Sequence, residues 1–267
     1  MEKNIVIPIG FDSEDRIKNF EISFEYLKQT FPNWGKTLIA QNFTGDPYIQ
    51  TFLQDKADKY TKVIIIDKAL PFHKTLLYNT AIAQIQEDII ITYDLDCLIE
   101  KHQVEEAVLK IEQGYDYVFP FTNPTYHVEN KSTIELEHLR KISRLSTSPH
   151  NWKETKQPDI AYAPGWISVI NKRAWIESGM ENEEMLGAFA EDAERICKFV
   201  RLGYKCTRVY GDIFHLEHER AVQNQFALDV DRKNQLIFEK IQALKLDEYQ
   251  EYYKIQKSNN LKKYNIK

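Results

Sequence analysis

The sequence predicts an α/β fold: a mixed, mostly parallel sheet with flanking helices, followed by a helical C-terminal tail. Three observations predict it. Short unbroken apolar runs, Ile5-Val6-Ile7-Pro8-Ile9 and Asp88-Ile89-Ile90-Ile91-Thr92-Tyr93 among them, read as strands buried on both faces. Segments of helical rhythm separate these runs through the first half of the chain, as crossover units require. With 267 residues, 43% of them hydrophobic, one large core suffices and a second is not required.

In order, Ile5 to Ile9 is the first strand. Asp12-Ser13-Glu14-Asp15 supplies capping side chains and early negative charge for a first helix, on which Ile17, Phe20, Ile22, Phe24 and Leu27 keep an approximately helical spacing up to Pro32. Thr37 to Ala40 is a second strand, Ile49 to Tyr60 a second helix, and Val63 to Asp67 a third strand. A helix from Lys74 to Gln86 leads into the strand Asp88 to Tyr93, which ends on Asp94-Leu95-Asp96. A helix near Gln103 to Gln113 and a strand from Tyr115 to Pro120 follow. The polar segment Thr122 to Gln157 has weak periodicity and reads as loop and mobile helix over a binding face, since connections this long often serve as lids. Ile160 to Ile170 is a strand region interrupted at Pro164-Gly165, with helices near Lys172 to Ser178 and from Glu191 to Leu202, the latter closed by Gly203. Thr207 to Tyr210 is the last expected strand, and the charged, Tyr-rich tail from Gln225 is helical.

Charge excludes one class of function. A net charge of -5 does not supply the clustered positive field that nucleic-acid polymers require, although a local basic site for one nucleotide is still allowed. No apolar stretch approaches the roughly 20 residues that cross a bilayer, and the start Met1-Glu2-Lys3-Asn4 has no signal-peptide pattern. Cys97, Cys197 and Cys206 are odd in number and lack C-x-x-C spacing, so neither a disulfide framework nor a thiolate zinc site is expected. A cytoplasmic protein is the expectation.

Three constellations can carry chemistry. Asp94-Leu95-Asp96 leaves a buried strand at its carboxyl end, where open α/β sheets bind ligands. If the chain stays extended there, both carboxylates face one crevice and suit Mg²⁺ or Mn²⁺ on a diphosphate; a solvated turn with two acids is the plainer alternative. His215-Leu216-Glu217-His218 follows the last expected strand. Imidazole beside a carboxylate favours Mn²⁺ over Mg²⁺, but two histidines three apart are also common as surface or packed residues. Phe189-Ala190-Glu191-Asp192-Ala193-Glu194 opens a helix, where acids are stabilised by the helix dipole or, alternatively, one acts as general base.

Taken in order, Phe72-His73-Lys74-Thr75-Leu76-Leu77-Tyr78-Asn79, Asp94-Leu95-Asp96, Gly165-Trp166-Ile167-Ser168, Glu191-Asp192 and His215 to His218 resemble the landmarks of the β-1,4-galactosyltransferase C-terminal domain, a plan shared with bacterial chondroitin-polymerase-type transferases. The resemblance spans roughly Ile5 to Arg220. It implies a nucleotide-diphosphosugar transferase (GT-A) fold with a Rossmann-like half and an inverting, Mn²⁺- or Mg²⁺-dependent transfer from a UDP-sugar to a glycan acceptor. Residues 1–120 would form the nucleotide-sugar half, 121–224 the acceptor and catalytic half, and 225–267 a helical extension. The resemblance places Phe72 and Lys74 beside the nucleotide, Asn79 in the donor site, Asp94 beside the metal ligand Asp96, and His218 with His215 completing the metal site. Asp192 matches the catalytic base, and Glu191 would contact a sugar.

This chain departs from the family where arginines normally follow the first strand's proline. Pro8 is followed by Ile9-Gly10-Phe11-Asp12, and the first arginine on that side is Arg16, so Pro8 and Arg16 are the residues expected at the nucleotide there. Trp152, Tyr162, Trp166 and Phe189 are candidates for stacking on sugar rings, or for the core. A nucleotidyltransferase would share the acidic pair but needs a basic, glycine-rich loop that Gly10 to Asp15 does not supply. A noncatalytic sugar-binding protein would keep the fold without needing the acids and histidines together. Membrane contact, if the acceptor is lipid-linked, is expected to be peripheral.

Overall fold

The computed structural model describes residues 1–122, 125–129, 134–145, 165–187, 189–218 and 225–266. Parallel strands β1 (Lys3–Ile9), β2 (Gly35–Asn42), β3 (Thr61–Asp67) and β4 (Ile89–Tyr93) are joined by helices α1 (Glu14–Thr30), α2 (Tyr48–Lys56) and α3 (Lys74–Ile82), with β1 between β2 and β4. β4 is followed by β5 (Cys97–Leu98), α4 (Lys101–Glu112) and β6 (Tyr117–Phe119). β7 (Thr125–Val128), α5 (Leu136–Ile142), β8 (Arg144–Leu145) and β9 (Ile167–Asn171) come next. The chain then runs through α6 (Lys172–Glu177), α7 (Glu191–Arg201), β10 (Cys206–Arg208), β11 (Ile213–Leu216), α8 (Gln225–Ala243) and α9 (Leu246–Tyr264).

The main sheet has the order β10-β6-β9-β4-β1-β2-β3. β9 runs antiparallel to both β4 and β6, and every other pairing in it is parallel, so the sheet is mixed and mostly parallel as expected. β1 and β4 bury nearly every residue, which explains their unbroken apolar sequences. In α1, Ser13 accepts a hydrogen bond from the Arg16 backbone N–H as N-cap, and Phe20, Phe24 and Leu27 turn one face to the core.

A second sheet, β5-β11-β7-β8, was not anticipated. The polar segment expected as loop and helix contains β7, α5 and β8 in its described part, and Tyr126 and His127 conceal a strand because their side chains are only half-buried. Pairing in space, parallel to β11 from Ile213↔Thr125 to Leu216↔Val128, is what makes it a strand. Thr207 to Tyr210 is likewise not the last strand: β10 stops at Arg208, and β11 follows, with His215 inside it. Leu98, Val128, Leu136, Leu139, Phe214 and Leu216 form a small core of their own beneath this sheet.

The tail packs on the helix that carries Glu191 and Asp192. Tyr249 and Tyr253 are buried with Met185 and Ile241, and the Tyr253 hydroxyl donates to the buried Glu194 carboxylate on α7. Gly179, at φ +101°, lies so close to α9 that a Cβ would sit 3.1 Å from the Tyr253 carbonyl. Asn260 donates to the Gly179 carbonyl at 2.9 Å. On α8, Asn234 accepts from the Leu186 N–H at 3.2 Å and donates to the Phe189 carbonyl at 3.0 Å, fixing the segment before α7. Tyr253→Ala should cost about 3–5 kcal/mol through the cavity and the stranded Glu194, lowering the melting temperature by roughly 10 °C. An unchanged melting curve would show that α9 adds nothing to the core.

Candidate functional site

The chain leaving β4 is pinned from three sides. The Asp94 N–H donates to the Trp166 carbonyl at 2.9 Å, Ser23 on α1 donates to the Leu95 carbonyl at 2.5 Å, and the Leu216 N–H donates to the Asp96 carbonyl at 2.7 Å. Residues 95 and 96 form a turn, not a continued strand, so the two carboxylates do not share one crevice wall as an extended chain would require. Asp94 meets Lys74, at 3.1 Å, whereas Asp96 meets Arg16 and the two histidines.

β11 brings the histidines in. It pairs antiparallel with β5, setting His215 opposite Cys97 and thus next to Asp96, and Asn19 on α1 holds the Leu216 carbonyl at 2.9 Å. The Asp96 Oδ2 lies 3.1 Å from His218 Nε2, 3.4 Å from Arg16 Nη1 and 3.9 Å from His215 Nε2. Burial raises the Asp96 carboxyl, but the His218 hydrogen bond and the charges of His215 and Arg16 outweigh it and hold the group well below the usual carboxylate range. Burial lowers His215, favouring the neutral imidazole that metals bind. One ligand atom each from Asp96, His215 and His218 falls within 4.8 Å of the others, and a carboxylate with two imidazoles suits Mn²⁺, so the residues fit the metal that the sequence implied.

Opposite this cluster, Lys74 opens α3 and places its ammonium among three carboxylates: Asp94 at 3.1 Å, Glu191 at 3.2 Å and Asp192 at 3.2 Å. The second Asp192 oxygen is held at 2.7 Å by Arg195, which also grips Glu181 at 2.7 and 3.2 Å and lies over the rings of Tyr78 and Trp175. Protonation divides accordingly. Burial, reinforced by the Asp192 charge, pushes Glu191 up to about 8. Burial pushes Asp94 up to about 6 against the pull of Lys74. Burial acts on Asp192 too, but Lys74 and Arg195 overcome it and hold its carboxyl below the usual range. Asp192 is also the more accessible, with 17% of its side chain exposed against 2% for Glu191. A Cβ on Gly165 would come within 3.0 Å of Asp192 Oδ2, so glycine there leaves the approach to that oxygen open.

The remaining expected site residues divide between these two clusters and the scaffold around them. Pro8 is buried in β1 opposite Ile39. Asn79 is buried and its carboxamide is committed to structure: it donates to the Glu181 carbonyl at 3.0 Å and to Glu183 at 2.8 Å, and accepts from the Glu181 N–H at 2.8 Å. Glu191 faces Lys74 rather than solvent. Phe72 packs over Gly10, where a Cβ would meet its ring at 2.7 Å, and its carbonyl accepts from the Gly187 N–H at 2.5 Å, tying the approach to α3 to the approach to α7. Arg16 reaches the Asp96 side from α1 and also pairs with Asp12 at 3.2 Å. Trp166 stands 6.4 Å from the His215 ring, Phe189 is 46% exposed, and Trp152 and Tyr162 lie outside the described residues. Sequence reading missed Arg195 and Glu181. Arg195 carried a signal, because three residues after Asp192 on a helix is the same face; Glu181 carried none, since only the fold brings it there.

Residues 41–173 match the family model described as Glycosyl transferase family 2. That stretch includes Lys74, Asp94 and Asp96, while Glu191, Asp192, His215 and His218 lie beyond it. No curated protein matches the chain. Among solved structures, residues 1–349 of TarS from S. aureus align over 98% of this chain and 72% of their own at 11% identity, with a TM-score of 0.59. The same TarS fragment in complex with UDP-GlcNAc aligns over the same shares at 12% identity with a TM-score of 0.62. Its complex with UDP aligns over 93% and 68% at 14% identity with a TM-score of 0.55. At such identities the structural likeness shows the fold, and the family match adds the activity class. The narrower likeness to galactosyltransferases rests on the ordered residues alone. By this fold and this family match, the chain is a glycosyltransferase of the GT-A fold.

Proposed function

We propose that the chain catalyses metal-dependent, inverting transfer of a hexose or N-acetylhexosamine from a UDP-sugar to a hydroxyl of a glycan or lipid-linked glycan, in the synthesis of a surface polysaccharide. The observation that carries this reading is the division of the site into a cation-ligand cluster, Asp96 with His215 and His218, and an ionised, accessible carboxylate, Asp192. The UDP-GlcNAc and UDP complexes of TarS support a uridine diphosphate donor. Residues 1–120 would hold the donor and 121–224 the acceptor, with 225–267 bracing α7. No helix among the described residues is long and apolar enough to cross a membrane. On this reading a membrane-bound acceptor would be met by peripheral association.

A divalent ion on Asp96, His218 and His215 would offset the charge that builds on the departing diphosphate. Arg16, beside Asp96, adds a fixed positive charge on that side. Asp192 takes the proton of the attacking acceptor hydroxyl, with Lys74 and Arg195 holding one oxygen each so that the carboxylate is aimed and ionised before the acceptor arrives. Lys74 is enclosed by carboxylates, so its work is to set Asp94 and Asp192 at the donor edge. A protonated Glu191 spares the site a further anion. One base and direct displacement invert the anomeric centre without a covalent intermediate.

Asp96→Asn should abolish the Mn²⁺-dependent part of UDP binding, measured by calorimetry, because a ligand charge is lost. Unchanged metal-dependent affinity would remove Asp96 from the site. Asp192→Asn should leave Mn²⁺–UDP affinity nearly intact while single-turnover transfer falls by roughly 100-fold or more. Near-normal transfer by the folded variant would refute Asp192 as base.

The state of Glu191 can be read from stability. An acid whose pKa rises from 4.5 unfolded to about 8 folded takes up a proton on folding between those values, so the native state loses stability as pH climbs through that window. Glu191→Gln removes this loss. The variant's melting temperature relative to wild type should therefore be higher at pH 8 than at pH 5. A difference independent of pH would mean that Glu191 is ionised in the folded protein.

A further inference from the structure

The small sheet brings His127 and Glu217, which the transfer reaction does not use, beside His215, which it does. β7 and β11 run parallel in a register that sets His127 beside His215. The Glu217 N–H donates to the Val128 carbonyl at 3.0 Å, extending the ladder past β11, so Glu217 emerges on the same face as His215 two residues before it. His127 Nδ1 lies 2.8 Å from the Glu217 carboxylate, and the His127 and His215 rings are 5.7 Å apart. One ligand atom from each of the three residues falls within 4.8 Å of the others. We propose that His127, His215 and Glu217 form a second divalent-cation site, beside the Asp96 cluster, that takes a borderline ion such as Zn²⁺.

Two imidazoles and one carboxylate are a donor set that Zn²⁺ accepts, leaving a fourth tetrahedral position for water. A second observation points the same way. His215 directs Nε2 toward Asp96 at 3.9 Å, while its Nδ1 is buried with no hydrogen-bond partner, a state that carries a cost unless a ligand meets that nitrogen. The ring thus has one nitrogen for each site. With both sites filled it would serve as imidazolate, its proton passing to solvent; with the Asp96 cluster disabled it serves as a neutral imidazole. An ion here would join β7 to β11 across the sheet, and the proposal does not depend on the identity of the donor or acceptor.

The test is Zn²⁺ binding by equilibrium dialysis with metal analysis, on the full chain carrying Asp96→Asn and His218→Ala, which disables the first cluster. This chain should retain one Zn²⁺, and its melting temperature should rise with added Zn²⁺. Adding His127→Ala or Glu217→Gln should weaken that binding by at least about 10-fold, the smallest loss expected even for a supporting residue, with circular dichroism confirming the fold. No Zn²⁺ on the double variant, or undiminished binding after His127→Ala, would overturn the site. In the otherwise native chain, His127→Ala should leave Mn²⁺-dependent UDP binding unchanged. Its loss would instead assign His127 to orienting His215 for the first ion, and would also overturn the proposal.

Discussion

A single buried ammonium organises the centre of this protein. Lys74 is enclosed by Asp94 from the end of β4 and by Glu191 and Asp192 from the start of α7, segments about a hundred residues apart in sequence. Removing such charges from water is costly, and the cost is met only when partners converge with good geometry. Three acids around one cation are one-sided, and the imbalance is relieved in two ways: Glu191 is pushed toward its neutral form, and Arg195 brings a second positive charge to Asp192. The same arrangement that lets α7 dock on the sheet therefore also decides which of two adjacent carboxyls is ionised.

The histidine arm depends on a different force, backbone pairing. β5 and β11 are short, and what holds them is a ladder completed by the Leu216 to Asp96 hydrogen bond and by the Asn19 and Ser23 side chains of α1. α1 thus supports both the acidic turn and the strand that brings His215 to it. Its buried polar residues, Asn19 and Ser23, interrupt the apolar face at the positions where the Leu216 and Leu95 carbonyls need donors.

Much of the main sheet was legible because its strands are buried on both faces, leaving unbroken apolar runs such as Ile89-Ile90-Ile91. The small sheet was not, because Thr125-Tyr126-His127-Val128 is a strand only through its pairing with β11, and pairing partners leave no mark on local periodicity. Asp94, Asp96, Asp192 and the two histidines were legible by order and by their position after strands and before a helix. Their partners were less so. Asn79 occupies a family landmark yet serves as a clamp on Glu181 and Glu183, and Glu181 itself lies in a segment with no pattern to distinguish it. Carboxylates also diverged where extension was assumed, since the turn at residues 95 and 96 sends Asp94 and Asp96 to different partners.

The seating of α7 against α9 has a consequence for how the protein is made. Glu194 and the outer face of α7 are covered by Tyr249 and Tyr253, which leave the ribosome some fifty residues later. Domains fold progressively as the chain emerges, at about 5–20 residues per second. β4, which leads into Asp94 and Asp96, can therefore pair while the face of α7 that bears Glu194, Lys198 and Arg201 is still in water. That face is closed only when α9 arrives, so for several seconds a nascent chain holds Asp192 on a helix seated from the sheet side alone, by Lys74 and Arg195.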